Sequence, residues 1–370
     1  MTTPTTGTGR EPATGIVDHR EFEARLADLF VHAGVPAAQA DGIAEVLVLA
    51  DLRGIESHGA NFAPRYLRGI ARGELNPTPK LEVVAGRGAA AVLDADNGLG
   101  FVAARAAMDL AVELAADHAV GAVTVRNSNH FGMAGFYALQ AVAAGMIGHA
   151  TTDGPPHTVA WGTRRPVVCN NPIAWAFPTA TPPPVLVDTA LTGVKEKIRL
   201  AAARGETIPP DWAVGPDGRP TTDPAVALEG SLLPIGGPKG SALVVANELL
   251  SGALGGARFS FEISPALVMG ADHHDRWACG HFLLAIDPSA FGSLDDFRRR
   301  ADELVARLRG AERADGVDRV WLPGEREWEL SEERRHSGLP VARATLAALD
   351  AVATELSAKA WFEELAETET

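Results

Sequence analysis

Cysteine is nearly absent from this chain, with Cys169 and Cys279 the only 2 among 370 residues. They form neither a C-x-x-C pair nor an extracellular cysteine framework, which excludes a dithiol redox motif and a disulfide scaffold and fits a reducing cytoplasm. Positive charge is also short: 33 Lys and Arg face 47 Asp and Glu, a formal net charge of −14. Such an excess repels nucleic acid and anionic membrane unless a basic patch intervenes. Arg298-Arg299-Arg300 and Arg334-Arg335 are short runs flanked by acids, as on a solvated helix surface. No apolar stretch approaches the ~18 residues of a membrane span. The start of the chain, rich in Thr, Pro and Gly, lacks the basic and apolar regions of a signal peptide and predicts a flexible tail over 1–17. No G-x-S-x-G elbow, Walker loop or repeat of fixed period occurs.

Apolar residues at 46% and charged residues at 22% describe an ordinary soluble globular protein, and the length suggests two lobes. Helical periodicity runs from Asp18 to about Asp51. A turn and short strand follow over Gly86 to Leu93, then a helix over Gly100 to His118 and a buried strand over Ala119 to Val125. The helix Gly135 to Ala144 and the strand Ile147 to Thr152 continue the alternation, which argues for an α/β lobe. Pro178 to Pro184 and Pro209 to Pro224 read as loops. A helix is expected from Gly240 to Leu254, and His281 to Ile286 reads as a strand closing the sheet. Amphipathic helices at Asp302 to Leu308 and Ala342 to Glu355 are expected to pack back on the N-terminal helices, making that lobe discontinuous.

Gly98-Leu99-Gly100-Phe101-Val102-Ala103 fits the G-x-G-x-x-A dinucleotide pattern after a strand and before a helix. The next strand ends at Val125-Arg126-Asn127, without the acid that would hold a ribose, although Arg126 is suited to a 2′-phosphate. Gly98 and Gly100 are therefore read mainly as turn residues opening the helix. His273-His274-Asp275 reads as a solvated loop, because adjacent histidines seldom share a metal without a third ligand at suitable spacing, and no metal is expected.

Four glycine-punctuated motifs carry the candidate chemistry: Gly54-Ile55-Glu56-Ser57-His58-Gly59, Asn127-Ser128-Asn129-His130-Phe131-Gly132, Asn170-Asn171-Pro172 and Gly236-Gly237-Pro238-Lys239-Gly240. Each sets a polar or proton-transferring side chain beside residues that let backbone approach a ligand. Histidine suits proton delivery to a carbonyl or imine near neutral pH, which selects His58 and His130. Ser57 can orient His58, although as neighbours the two side chains are expected to point in different directions. Lys239, at a helix N-terminus, makes an anion site.

In this order the motifs resemble the type-2 malate/L-lactate dehydrogenase family over approximately residues 18 to 350. The resemblance implies an α/β fold with a non-Rossmann dinucleotide-binding lobe around a mixed sheet, plus a discontinuous, mostly helical lobe built from both termini. Its expected boundaries are 1–17 for the tail, 18–85 and 301–370 for the helical lobe, and 86–300 for the cofactor-binding lobe. It implies catalytic roles for Ser57, His58 and His130, with neither histidine ranked first. It also implies NADH or NADPH held by Lys239, Pro238, Asp188, Thr189, Ala190, Asn171, Asp153 and Gly154. A homodimer acting on a small-molecule substrate is implied as well.

Two departures stand out. Cys169 and Asn170 replace the family's usual Gly-Thr before Asn171-Pro172, and Phe62 stands where relatives carry an arginine suited to clamp a substrate carboxylate. Phe62, Arg65 and Asn170 are therefore the candidate substrate residues, and a bulkier or less anionic ketone or imine is expected. The function so implied is hydride transfer between nicotinamide and a 2-oxo or 2-hydroxy acid-like substrate. Reduction of a cyclic imine is the alternative, and a dinucleotide-binding protein without turnover is the alternative of another class.

Overall fold

A computed structural model describes residues 14–264, 276 and 278–366. His273-His274-Asp275 and nearly all of the stretch from Pro265 to Ala278 lie outside the described residues. The chain divides into two units, one of Met1–Arg68 with Glu329–Thr370 and one of Gly69–Trp328.

The first unit is the discontinuous helical lobe. Helices α1 (His19–His32) and α2 (Ala37–Leu52) bury Phe22, Leu26, Phe30, Ile43 and Leu47, matching the periodicity of their sequences. Asp18 caps α1 by accepting the Arg20 and Glu21 N–H groups, an interaction worth about 1 kcal/mol. The C-terminal part joins through β1 (Thr14–Val17), which pairs antiparallel with a later strand, Leu339–Ala342. Phe22 and Phe362 meet edge to face at 5.9 Å. The expected tail is therefore too long by the residues of β1, whose backbone groups are bound in that ladder.

The boundaries also differ from the expected 85/86 and 300/301. The helix Leu294–Arg309 belongs to the second unit because its side chains meet that unit's loops: Thr181 Oγ1 donates to Asp302 at 2.9 Å, and a Cβ on Gly145 would lie 3.2 Å from Leu294.

The second unit is built on a seven-stranded mixed sheet. Its strands are β2 (Glu82–Arg87), β3 (Ala90–Asp94), β4 (Val120–Ser128), β5 (Ile147–Thr152), β6 (Ile173–Phe177), β7 (Val185–Thr189) and, after the two-residue strands β8 (Ala213–Val214) and β9 (Ser231–Leu232), β10 (Cys279–Ile286). The order is β2-β3-β4-β10-β5-β6-β7. β10 does not close the sheet but lies at its centre, antiparallel to both β4 and β5. A nearly unbroken run of buried residues suits a strand covered on both sides rather than an edge.

Only β3 and β4 run parallel, with α4 (Gly100–His118) between them, so the G-x-G pattern does occupy a strand-turn-helix crossover. Its function is different. A Cβ on Gly100 would lie 2.1 Å from the Asn129 carbonyl oxygen and 2.5 Å from that of His130, and Asn129 Nδ2 donates to the Gly98 carbonyl at 2.8 Å. The glycine lets the His130 loop sit on the helix start, where a pyrophosphate would otherwise bind. Arg126 is occupied too, its Nε 2.9 Å from Asp94.

The expected Pro209–Pro224 excursion contains structure of its own. β8 pairs with β9 beside the helices α6 (Lys195–Arg204) and α7 (Pro224–Glu229), and Ile198, Ile208, Ala213 and Leu232 form a small separate core.

Candidate active site

Strand register gathers the predicted segments of the second unit at one end of its sheet. Ser128 lies opposite Cys279, Thr152 opposite His281, Thr151 opposite Ile173, and Ile173 opposite Thr189. The ends of β4, β5 and β7 and the starts of β6 and β10 therefore share one rim. That rim carries His130, Asp153–Gly154, Asn170–Asn171 and Asp188–Ala190. The Gly236–Lys239 turn is tied to it by backbone, since the Leu191 N–H donates to the Asn170 carbonyl and the Ile235 N–H to the Leu191 carbonyl, both at 2.9 Å.

His130 lies on the loop between β4 and α5 (Ala134–Ala143), partly exposed. The Gly132 N–H points at its Nδ1, 3.3 Å away, so Nδ1 accepts and Nε2 carries the proton of the neutral ring. The rest of the loop is tightly held: Asn129 Nδ2 reaches the Asn97 and Gly98 carbonyls, and the Tyr137 hydroxyl donates to the Phe131 carbonyl.

Asp188 turns its carboxylate into the protein, where Oδ2 accepts the Gly135 N–H in the first turn of α5 at 2.8 Å. This leaves the backbone of Thr189 and Ala190, rather than the acid, as the outward feature of the segment. Asn171, fully buried, adopts a left-handed φ of 41°. Its Nδ2 donates to Glu248 Oε1 at 2.8 Å, and its carbonyl accepts from Asn247 Nδ2 at 3.1 Å. Glu248 also accepts from the Ser260 hydroxyl and N–H, so both of its oxygens meet donors.

Asp153 is buried beside Glu248. Desolvation, reinforced by the negative charge of Glu248, raises its carboxyl well above the ordinary range, while Oδ1 accepts the Gly280 N–H at 2.8 Å. Gly154 stands against Cys169, whose Sγ would be 3.0 Å from an added Cβ, and burial pushes the Cys169 thiol up to about 12. Asn170, partly exposed, accepts from that thiol at 3.0 Å, so the Cys169-Asn170 replacement makes an unreactive packing pair.

Lys239 is exposed in the first turn of α8 (Pro238–Glu248), which continues directly into a π-helical turn, Leu249–Ala253, where one long helix was expected.

In the first unit, Ser57 and His58 occupy a 3₁₀ turn, and Ser57 Oγ lies 2.9 Å from His58 Nδ1. The side chains do not diverge as expected, since the Ser57 hydroxyl turns back to the imidazole of its neighbour. Desolvation pulls the partly exposed His58 imidazole down to about 4, so the ring is neutral near pH 7. The turn is held by Asp51, whose Oδ2 accepts the Ala60 N–H at 2.9 Å and whose Oδ1 would lie 1.7 Å from a Cβ on Gly59. Phe62 ends a second 3₁₀ turn and faces Tyr66, with ring centroids 6.3 Å apart, and Arg65 follows on the helix α3 (Ala63–Ala71).

Sequence reasoning missed Asp51 and Glu248, the acids behind the Ser57-His58 turn and Asn171. An acid within an otherwise apolar helical stretch was the available signal in both cases. It also missed the turn Leu322-Pro323-Gly324-Glu325, whose Pro323 carbonyl accepts the Leu186 N–H of β7 at 3.2 Å.

A nicotinamide dinucleotide fits the rim on one observation. The N-terminus of α8 has no side-chain cap, and an added Cβ on Gly236, at φ 59°, would meet nothing within 4 Å. An uncapped helix start beside the Lys239 cation, lined by a glycine with open space, suits a phosphate anion.

Known proteins resemble this chain along most of its length. The profile of the malate/L-lactate dehydrogenase family matches residues 17–350. L-sulfolactate dehydrogenase from Methanocaldococcus jannaschii is 37% identical over 90% of this chain and 94% of its own. A solved structure of sulfolactate dehydrogenase from that organism superposes with a TM-score of 0.88 at 35% identity, covering 94% of this chain and 99% of the other. Ureidoglycolate dehydrogenase (NAD(+)) from Escherichia coli O157:H7 is 34% identical over 83% of this chain and 86% of its own. Δ1-piperideine-2-carboxylate reductase from Pseudomonas syringae pvar. tomato superposes at 0.80 with 31% identity, over 91% and 99%. The chain belongs to the malate/L-lactate dehydrogenase family and is an NAD(P)-dependent oxidoreductase.

Proposed function

We propose that this enzyme reduces a bulky 2-oxo acid-like carbonyl compound, with His130 as the principal proton donor. The observation that carries the reading is the Gly132 N–H on His130 Nδ1, which turns a protonated Nε2 outward on the rim that also holds the segments assigned to the cofactor. The reduced nicotinamide supplies a hydride when bound. His130 takes up a proton from water at Nδ1 in place of the Gly132 contact and gives its Nε2 proton to the substrate oxygen as negative charge develops there, so that the alcohol and a neutral ring result; in the reverse direction Nε2 takes the proton back and Nδ1 releases one to water. Ser57 and His58 form a second proton-transferring pair, with Ser57 holding the ring.

Lys239 and Pro238 at the start of α8 hold the pyrophosphate, and the backbone of Asp188, Thr189 and Ala190 lines the nicotinamide side, with the buried Asn171, Asp153 and Gly154 shaping the loops behind it. Phe62 and Arg65 read the substrate, with Asn170 at the rim. Replacement of the usual arginine by the Phe62–Tyr66 aromatic pair favours a bulkier or less anionic substrate. The likeness to the piperideine carboxylate reductase keeps reduction of a cyclic imine as the second reading.

The enzyme acts as a homodimer in a reducing cytoplasm. Support for the dimer comes from the exposed side of α8 and its extension, where Ala242, Val245, Ala246 and Leu249 recur at helical spacing with no charge among them. Val245 is 48% and Leu249 54% exposed. Both cysteines are free and buried, in keeping with a reducing compartment.

The test is oxidation of NADH and NADPH against 2-oxo acids, cyclic imine carboxylates and larger ketones, with His130→Ala and His58→Ala alongside. Turnover lost most in His130→Ala is the expected result. Undiminished turnover in His130→Ala removes His130 from its role, and cofactor binding without turnover on any compound leaves a binding protein.

A further inference from the structure

His281, in the central strand β10, is fully buried, yet both of its ring nitrogens face hydroxyls. Nδ1 lies 2.7 Å from Thr152 Oγ1, and Nε2 lies 2.7 Å from Ser128 Oγ. Thr152 is the last residue of β5, immediately before Asp153-Gly154. Ser128 is the last residue of β4, two before His130. One imidazole thus bridges the strand ends that carry the proton donor and a cofactor segment. Its ring also stacks on Phe131, the neighbour of His130, with centroids 4.7 Å apart and planes 15° apart, and Phe131 stacks in turn on Tyr137 at 4.9 Å.

Thr152 Oγ1 reaches the Gly280 carbonyl at 2.9 Å, so the bridge is anchored to β10 at a second point. Burial drives the imidazole down to about 3, which keeps it neutral and removes it from acid-base exchange. A buried polar side chain in the middle of an apolar strand costs stability unless every hydrogen bond is made, and here they are made toward the two loops of the site.

We propose that His281 is a positioning residue of the reductase: it sets the spacing between His130 and the Asp153–Gly154 segment by bridging Ser128 and Thr152 and by bracing Phe131. The proposal rests on the roles given above to His130 and Asp153–Gly154. Hydride and proton must reach adjacent atoms of one substrate, and a misplacement of ~1 Å costs about 100-fold in rate.

His281→Phe keeps a ring for the stack and removes both nitrogens, while Ser128→Ala and Thr152→Val each remove one end of the bridge and keep the histidine. Each variant is measured for kcat, both KM values, Tm, and the primary isotope effect with cofactor deuterated at the transferred position. The expected result is a kcat lowered about 10- to 100-fold in His281→Phe, with KM values changed less than about 3-fold and a larger isotope effect. Thr152→Ser should restore what Thr152→Val loses. An unchanged kcat and isotope effect, or a loss that appears only in Tm or KM, overturns the proposal. Should His281→Phe fail to fold, the two bridge-end variants decide by the same criteria. His130→Ala in the same series separates the two ideas: if it is as active as the parent the reading of the site fails and this proposal with it, whereas a dead His130→Ala beside an unimpaired His281→Phe overturns only the positioning role.

Discussion

Asp188 Oδ2 accepts the Gly135 N–H at 2.8 Å, joining the end of β7 to the first turn of the helix that follows His130. A Cβ on residue 135 would lie 2.5 Å from that oxygen and 3.2 Å from Leu186 Cδ2. Gly135→Ala should therefore push the end of β7 away, at a cost of about 1–3 kcal/mol by overpacking. Cofactor KM should rise more than substrate KM, because Thr189 and Ala190 move with Asp188. Steady-state kinetics with a thermal melt checks this, and an alanine variant with parental cofactor KM would show that the segment does not touch the dinucleotide.

Glu248 holds Asn171 in its left-handed conformation, and the carboxylate meets donors at every contact. Glu248→Gln would set an NH₂ against at least one of those donors and leave buried groups unpaired, a loss of about 1–3 kcal/mol. Chemical denaturation should show that loss, with weaker dinucleotide binding by calorimetry. Parental stability would mean that the loop is held by its backbone alone.

Desolvation raises the Asp51 carboxyl to about 7 in the folded protein, against its ordinary 3.8. The folded state then binds more protons than the unfolded chain between these values, and stability falls as pH rises through that window. Asp51→Asn removes the titration and keeps an oxygen for the Ala60 N–H. The Tm of the variant minus that of the parent should become more positive from about pH 5 to about pH 8. A difference that stays constant with pH would place the titration of Asp51 elsewhere.

Phe62→Arg should restore a carboxylate partner at the position that relatives give to arginine. A charge-assisted pair worth about 1.5–3 kcal/mol corresponds to roughly a 10- to 100-fold gain in kcat/KM for small 2-oxo acids. Larger ketones or imines should lose ground in the same assay. Efficient turnover of pyruvate-like acids by the parent enzyme, with no gain in the variant, would count against Phe62 as the selector.

What the sequence determined on its own is local. Period and composition located α4, α5 and β5 to within a residue or two and read α1 and α2 as one helical stretch, because apolar spacing and glycine placement act over a single turn or strand. The motifs that carry the candidates Ser57-His58, His130 and Lys239 are likewise contiguous, so they stand out in the sequence without any knowledge of the fold. Only tertiary structure decided that β10 enters the middle of the sheet, that Gly100 receives the His130 loop, and that Asp188 serves a helix 53 positions away. The same holds for Glu248 behind Asn171 and His281 between Ser128 and Thr152, separated by 77, 153 and 129 positions. Such pairs depend on strand order and register, and no local periodicity encodes which distant strand a segment will lie beside.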